Sequence, residues 1–500
     1  MTIINYRNVQ KIVKNTKGSY KVLVLTRKTH ALRLPARASL WYITAAMLGR
    51  GIGVFGTPVF TRLLSATEYG LYPLYNTWLG IATVFVTLEI TGASLTRGLQ
   101  KYEDKRGEFL SAALGLISTV FIIICALCLL AHKQINLITG LSTPILVLML
   151  VQIYINAIIN LYTAGARYSY SYKRVAAINT AAAFLSPIFS VGVITLTRYK
   201  SEGRIIGGLI ATALIALPLF IVITTGSRRL INLKAWRYLL TMALPLLPHY
   251  IASTAILRVG EITVGRVHGT EALGKYSVAI SLGLSLSIIT GGLISAVGPW
   301  LLRHIRQGDF ERIRVVLVLL TKGLCLFALL ILSVVPETIK ILTPPEYHGA
   351  LLAVYPLVLS SVPTFLSSTL TQGQAFYERT YLSSIPAIIS AATSAVLSLL
   401  LLPRIDYRFV SLIVLLSYII LFALHSLVFK RLSGKSVIDL KRVGRVYLLT
   451  VAYAALLSAM RDYTLVRLVL AIPLLPLLLS VALEALKIIK EPIEPQSTKI

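Results

Sequence analysis

The sequence predicts an all-α integral membrane protein of about fourteen transmembrane helices. They are expected to form two parallel six-helix bundles around a central cavity, with a further helix pair at the C-terminal end. Three observations predict this. Of 500 residues, 56% are hydrophobic and 14% charged, with a mean hydropathy of +0.78, whereas soluble domains carry about 25% charged residues. Apolar stretches long enough to cross about 30 Å of hydrocarbon at 1.5 Å per residue follow one another along the chain. A two-span element near the start also returns in the second half.

Residues 1–37 are basic from Arg7 to Arg37, and their longest apolar run, Val22-Leu23-Val24-Leu25, is too short for a secretory signal. They are expected to form a cytoplasmic tail. Residues 38–226 hold six spans: Ser39–Phe60, Leu71–Leu95, Phe109–Leu130, Pro144–Gly165, Val175–Thr197 and Ile205–Thr225. Residues 227–237, Ser227-Arg228-Arg229 to Trp236-Arg237, interleave basic and apolar residues and suit an interfacial connector. Residues 238–430 repeat the count with Tyr238–Gly265, Tyr276–Leu301, Val315–Val335, Leu351–Ala375, Leu382–Leu402 and Val410–Phe429. Residues 431–488 add Val446–Met460, short for a crossing, and Leu465–Ile488, before a tail at 489–500.

The recurrence lies at the same place in each half. Thr67-Glu68-Tyr69-Gly70-Leu71-Tyr72 follows the first span, and Thr270-Glu271-Ala272-Leu273-Gly274-Lys275-Tyr276 follows the seventh. Arg62 and Arg266 precede the two Thr-Glu pairs at nearly matching distances. Six spans is an even number, so both halves start from the same side and are parallel repeats, an arrangement that places substrate between them.

The net charge of +30 fits basic loops on the cytoplasmic side and contact with anionic lipid rather than nucleic acid. Counting Lys and Arg on alternate sides places both termini in the cytoplasm, in a cell membrane. One outer loop, Arg198 to Arg204, carries Arg198, Lys200 and Arg204 against that bias. Cys125, Cys128 and Cys325 all fall in apolar spans and read as small hydrophobes. No phosphate-cradling Gly-rich loop and no hydrolase motif occurs. Asp104, Asp309, Asp406, Asp439 and Asp462 sit singly in loops, which argues against a glycosyltransferase. Neither an enzyme nor a bound cofactor or metal is expected.

The run Pro58-Val59-Phe60-Thr61-Arg62-Leu63-Leu64-Ser65-Ala66-Thr67-Glu68-Tyr69-Gly70-Leu71-Tyr72 follows a basic tail and an apolar span. A second span then ends in Gly92-Ala93-Ser94-Leu95-Thr96-Arg97. This resembles the start of the polysaccharide biosynthesis exporters, the O-antigen and teichoic-acid flippase group of the multidrug/oligosaccharidyl-lipid/polysaccharide (MOP) superfamily. The resemblance implies two bundles in a V. It implies movement of a polyprenyl- or dolichyl-(di)phosphate-linked oligosaccharide from the cytoplasmic to the outer leaflet, for cell-surface glycan assembly, with polymerase or glycosyltransferase partners. The last helix pair departs from the commonest twelve-span version and matches the lipid-linked murein precursor branch in number only.

A charged head crossing hydrocarbon needs a polar, cationic path. The candidates for binding it are Arg50 and Arg258 within spans, and Arg62 and Arg266 at outer helix ends. A second reading pairs Arg258 with Glu261 at i, i+3 and Arg50 with Glu89 across helices. Glu89, Glu261 and His249 are candidates for ion coupling or pairing. His249 follows Pro245 and Pro248, where the seventh span should bend. Gln152, Tyr154, Asn156 and Asn160, and Gln372 with Gln374, either line a sugar-compatible face or bond between helices. The competing function is an ion-coupled multidrug exporter of the same architecture.

Overall fold

The computed structural model describes residues 51–52, 56–169, 171–227, 229–377 and 380–490. Those residues are almost wholly helical and contain no strand. In chain order the helices are α1 (56–63), α2 (Ala66–Thr87), α3 (Ala93–Lys101), α4 (Arg106–Leu130), α5 (His132–Thr139), α6 (Thr143–Tyr168), α7 (Tyr172–Leu196), α8 (Lys200–Gly226), α9 (Leu233–Ala243), α10 (Leu247–Val267), α11 (Gly269–Gly283), α12 (Ser287–Gln307), α13 (Phe310–Leu342), α14 (Leu351–Ala375), α15 (Ser384–Leu401), α16 (Val410–Ser433), α17 (Leu440–Ala459), α18 (Thr464–Ala471) and α19 (Leu474–Lys490).

Eleven of the helical stretches are long and apolar enough to cross a bilayer, among the described residues. They coincide with the expected third to twelfth spans and the last one. Two other expected spans, α2 and α17, are helices of 22 and 20 residues that fall outside that group. Most of the expected first span, with Arg50 in it, lies outside the described residues, as does the basic tail.

Local sequence explains the breaks. Ser65 caps α2 and Glu68 returns the bond, its carboxylate accepting from Ser65 N at 2.9 Å while Glu68 N donates to Ser65 Oγ at 3.3 Å. The second span, expected to be continuous, is interrupted between α2 and α3. Leu88 and Glu89 there adopt φ of 48° and 50°, a left-handed pair without glycine that costs about 1–2 kcal/mol per residue. The bend expected after Pro245 is a 3₁₀ turn at Leu244–Leu246 between α9 and α10.

The packing differs at the two ends of the molecule. At the end bearing the Thr-Glu turns, one apolar core joins both halves through Phe60, Tyr69, Leu74, Leu273, Tyr276 and Tyr347, and it continues through the second half to Ile305, Phe429 and Val443. At the other end the first half has a separate core built from Ile90, Leu99, Phe109, Leu161 and Leu239. The C-terminal helices α17 to α19 lie against α13. Arg467 anchors them: it is fully buried and grips both oxygens of Glu337 on α13, while its Nε donates to Met460 O at 3.1 Å.

Candidate functional site

The repeated turns meet each other. α2 crosses α11 with Gly70 facing Gly274. A β-carbon on Gly274 would lie 2.5 Å from Ala66 O and 3.3 Å from Gly70 Cα, and one on Gly70 would come 2.7 Å from the Thr270 carbonyl carbon. Only hydrogen fits where two backbones touch. The two copies of one sequence element are therefore the contact that joins the halves at this end. Tyr69 packs edge-on to Tyr347 of the second half at 5.9 Å.

Arg62 and Arg266 fasten the same end in a swapped pair. Arg62 Nη2 donates to Ile341 O at 3.1 Å, at the last turn of α13 in the second half. Arg266 Nη2 donates to Ile138 O, at the last turn of α5 in the first half. A cation at a helix C-terminus meets unpaired carbonyls and the negative end of the dipole. Both arginines are exposed, and in this state both are engaged across the halves.

Away from the crossing, α2 of the first half runs alongside α10 of the second. This seam holds the charged residues. Glu261 is 3% exposed, and its carboxylate accepts two bonds from Arg258 Nη1, at 2.9 and 3.1 Å. It accepts a third from Thr77 Oγ1 on α2, so the acid is bonded from both halves. The Arg258 side chain is 30% exposed. It lies against Gly80 of α2, where a β-carbon would be 3.3 Å from its Nε. Both bonds to Glu261 come from one guanidinium nitrogen. Nε and Nη2 have no protein partner among the described residues and are not sealed from the surroundings. A guanidinium presents five N–H donors in a fixed fork, so a free edge remains for a second oxyanion.

Farther along the seam, Tyr250 of α10 approaches the helix break. A β-carbon on Gly92 would be 3.3 Å from both Tyr250 Oη and Glu89 O. Glu89 is partly buried and has no cation within ion-pair distance among the described residues.

His249 lies in a cavity of about 310 Å³ within the second half, with Ser253, Ser367, Thr371, Tyr418 and His425 on its wall. The histidine is tied into a chain. His249 Nδ1 lies 3.2 Å from Ser383 O; Ser383 Oγ donates to Gln374 Oε1 at 2.7 Å; and Gln374 Nε2 donates to His425 O at 2.8 Å. His249 and Gln374 are among the candidates expected from sequence; His425 is not. The signal that could have found it is that His425 is a lone histidine in the apolar run Val410–Phe429. In the first half, Gln152 Nε2 donates to Asn156 and Thr212, and Tyr154 meets Ser118 at 2.8 Å, so these two polar side chains join helices to one another.

A multi-pass helical protein whose two halves close on each other at one end, with ionic groups in the seam between them, has the architecture of an alternating-access transporter. The family model described as "Polysaccharide biosynthesis protein" matches residues 36–304, more than half of the 500-residue chain. The chain belongs to that family. Solved structures similar to it include a lipid II flippase MurJ in an inward closed conformation, at 14% identity and a TM-score of 0.68, covering 90% of this chain and 99% of that one. A multidrug resistance MATE family transporter of the MOP superfamily, inward-facing, matches at 12% identity and a TM-score of 0.61, covering 78% and 95%. The Vibrio cholerae MATE transporter VcmN matches at 13% identity and a TM-score of 0.58, covering 82% and 100%. These likenesses show a shared fold, and the neighbours themselves are a lipid II flippase and multidrug transporters. No curated protein sequence matches the chain.

Proposed function

We propose that this protein is a flippase that moves a polyprenyl- or dolichyl-(di)phosphate-linked oligosaccharide from the cytoplasmic to the outer leaflet of the cell membrane. The observation that carries the reading is Arg258. Its guanidinium sits in the seam between the halves with one nitrogen committed to Glu261 and an edge open to a phosphoryl group. Glu261 keeps the cation compensated when no head is bound, because an unpaired buried charge is costly. Binding of a (di)phosphate then shares the guanidinium between two oxyanions.

On this reading the end with the Thr-Glu turns faces outward, both termini are cytoplasmic, and the described state is closed to the outside. Opening separates Gly70 from Gly274 and releases Arg62 and Arg266 from the opposing carbonyls. Arg50, from the preceding span, is proposed as a second ligand of the head. The halves comprise residues 38–226 and 238–430, with 431–488 as an added pair braced on α13. Outward movement of an anion is favoured by a membrane potential negative inside, by about 2.3 kcal/mol per charge per 100 mV. Glycosyltransferase or polymerase partners would consume the exported head.

One observation favours the alternative of an ion-coupled multidrug exporter: Glu89, a carboxylate without a cation partner among the described residues beside a strained helix break. Proteoliposomes separate the two. A fluorescent lipid-linked oligosaccharide is tested for protein-dependent accessibility to an external lectin, and ethidium for ion-dependent efflux. Lectin accessibility without ethidium efflux is expected. Ethidium efflux without flipping of any lipid-linked sugar would overturn the flippase reading in favour of the exporter.

A further inference from the structure

Arg204 breaks the charge bias of its loop, and the structure shows where it goes. It lies near the start of α8, with its guanidinium carbon 3.8 Å from the ring centroid of Tyr72, 4.2 Å from that of Phe60 and 4.9 Å from that of Tyr69. No carboxylate of the described residues pairs with it. Its Nη1 is buried and makes no hydrogen bond. Arg204 as a whole is half-buried. Three rings thus hold the cation and shield part of it from water without neutralising it.

Arg204, Phe60 and Tyr72 form one wall of a cavity of about 350 Å³ in the first half. Ser186, Ser190 and Thr212 also line it, and no acid does among the described residues. Ser190 Oγ donates to Arg204 O at 3.0 Å, and Thr212 Oγ1 donates to Gly208 O at 2.9 Å. Ser186 Oγ has no bond among the described residues, and neither do Arg204 Nε and Nη2, which are not sealed as Nη1 is, so the hydroxyl and that edge of the guanidinium are the available donors. A cavity with an unneutralised cation, a free hydroxyl and no acid is complementary to an oxyanion. Tyr72 is one helix with Gly80, against which Arg258 lies; eight residues separate them, about 12 Å of rise. Tyr69, in the same cage, contacts Tyr347 at the closed end.

We propose that Arg204, caged by Phe60, Tyr69 and Tyr72, anchors a second phosphoryl-binding subsite in the first-half cavity, beside the end at which the halves close. That the phosphoryl belongs to the transported head rests on the flippase reading; the anion site itself does not. Arg258 takes the head in the seam, and Arg204 takes it one stage nearer the exit. The cage residues flank the Gly70 crossing, so opening of that end alters the subsite as well.

The test reads the cavity locally. The full chain, with Cys125, Cys128 and Cys325 replaced by alanine, carries Ala183→Cys on the cavity wall. The rate of its reaction with a methanethiosulfonate reagent is followed in phosphatidylcholine nanodiscs with inorganic pyrophosphate, farnesyl diphosphate or farnesol. Both phosphates should slow the reaction about tenfold and farnesol should not. Arg204→Gln should remove the protection, and so should Ser186→Leu, which fills the cavity and leaves the cage intact. Protection by phosphatidylglycerol alone in mixed nanodiscs would assign the subsite to bilayer headgroups; tighter protection by farnesyl diphosphate than by pyrophosphate would assign it to the polyprenyl head. Equal protection in wild type and in a folded Arg204→Gln or Ser186→Leu, or no protection by any of the three phosphates, would overturn the proposal. Arg204-dependent protection in a protein that flips no lipid-linked sugar would keep the site and sink the flippase reading.

Discussion

Gly274→Ala places one methyl where the halves meet. Its carbon would stand 2.5 Å from Ala66 O, and ordinary contact begins near 3.4 Å, so α2 and α11 must part by about 0.9 Å. The obstacle is backbone on both sides, which cannot turn aside as a side chain does. Overpacking of this kind costs about 1–3 kcal/mol. The cost falls on the closed state alone, because a state with the helices apart has no overlap. Each 1.4 kcal/mol is about tenfold in a two-state ratio, so the closed population should fall by roughly 5- to 150-fold relative to the open one. Thr67 and Glu271 are exposed on either side of the crossing. Spin labels at Thr67→Cys and Glu271→Cys, in the chain lacking native cysteines, report the separation by pulsed electron resonance. Wild type should show a dominant short distance, and Gly274→Ala a shift to longer ones. Gly323→Ala, where a β-carbon has Val481 at 3.8 Å as its nearest neighbour, should match wild type. A folded Gly274→Ala with the wild-type distribution would refute the idea that this crossing sets the closed state.

Three further outcomes follow from other contacts. Replacing both Arg62 and Arg266 by alanine removes two carbonyl contacts across the halves, each worth about 0.3–1 kcal/mol at an exposed helix end; the same spin-label pair should shift partway toward longer distances while thermal stability stays near wild type. Arg467→Ala leaves Glu337 without its guanidinium and should cost about 3 kcal/mol, seen as early thermal unfolding in detergent; Arg467→Met with Glu337→Leu should recover most of it. The bond from Arg408 holds the Asp406 carboxyl below the usual range. With its folded-state value depressed, that contribution is present above the unfolded value near 3.9 and is lost as pH falls through the lower folded one. Both side chains are 36% exposed, so Asp406→Asn should cost under about 1 kcal/mol at neutral pH in a denaturation series.

Much of the architecture was legible because hydropathy and length dictate it. Apolar runs of span length became helices with boundaries close to those expected, and the Thr-Glu recurrence marked two elements that meet at Gly70 and Gly274. The expected number of about fourteen spans is matched by eleven on length and apolarity, because α2 and α17 carry more polar residues than the others and the first span lies largely outside the described residues. The break at Leu88–Glu89 was not read from the sequence, since neither position is Gly or Pro, although Gly92, which precedes α3, and the charged Glu89 inside an apolar run were visible. Arg258 and Glu261 are one turn apart, and that spacing alone suggested their pairing. Thr77 could not be placed beside Glu261 without knowing that α2 lies on α10. Arg467 sits in an apolar run and its partner Glu337 is remote in sequence. Arg204 was visible only as an anomaly of charge, and its aromatic cage comes from two other helices.

Arg258 is proposed to hold an anionic lipid-linked head between the halves. The most direct measurement is the initial rate of flipping of a diphosphate-linked oligosaccharide in proteoliposomes for wild type, Arg258→Lys and Arg258→Gln, each checked for folding. Arg258→Gln should lower the rate by about tenfold or more, and Arg258→Lys, which keeps the charge and loses the fork, should fall between. A folded Arg258→Gln that flips at the wild-type rate would contradict this role and leave Arg258 as the structural partner of Glu261 alone.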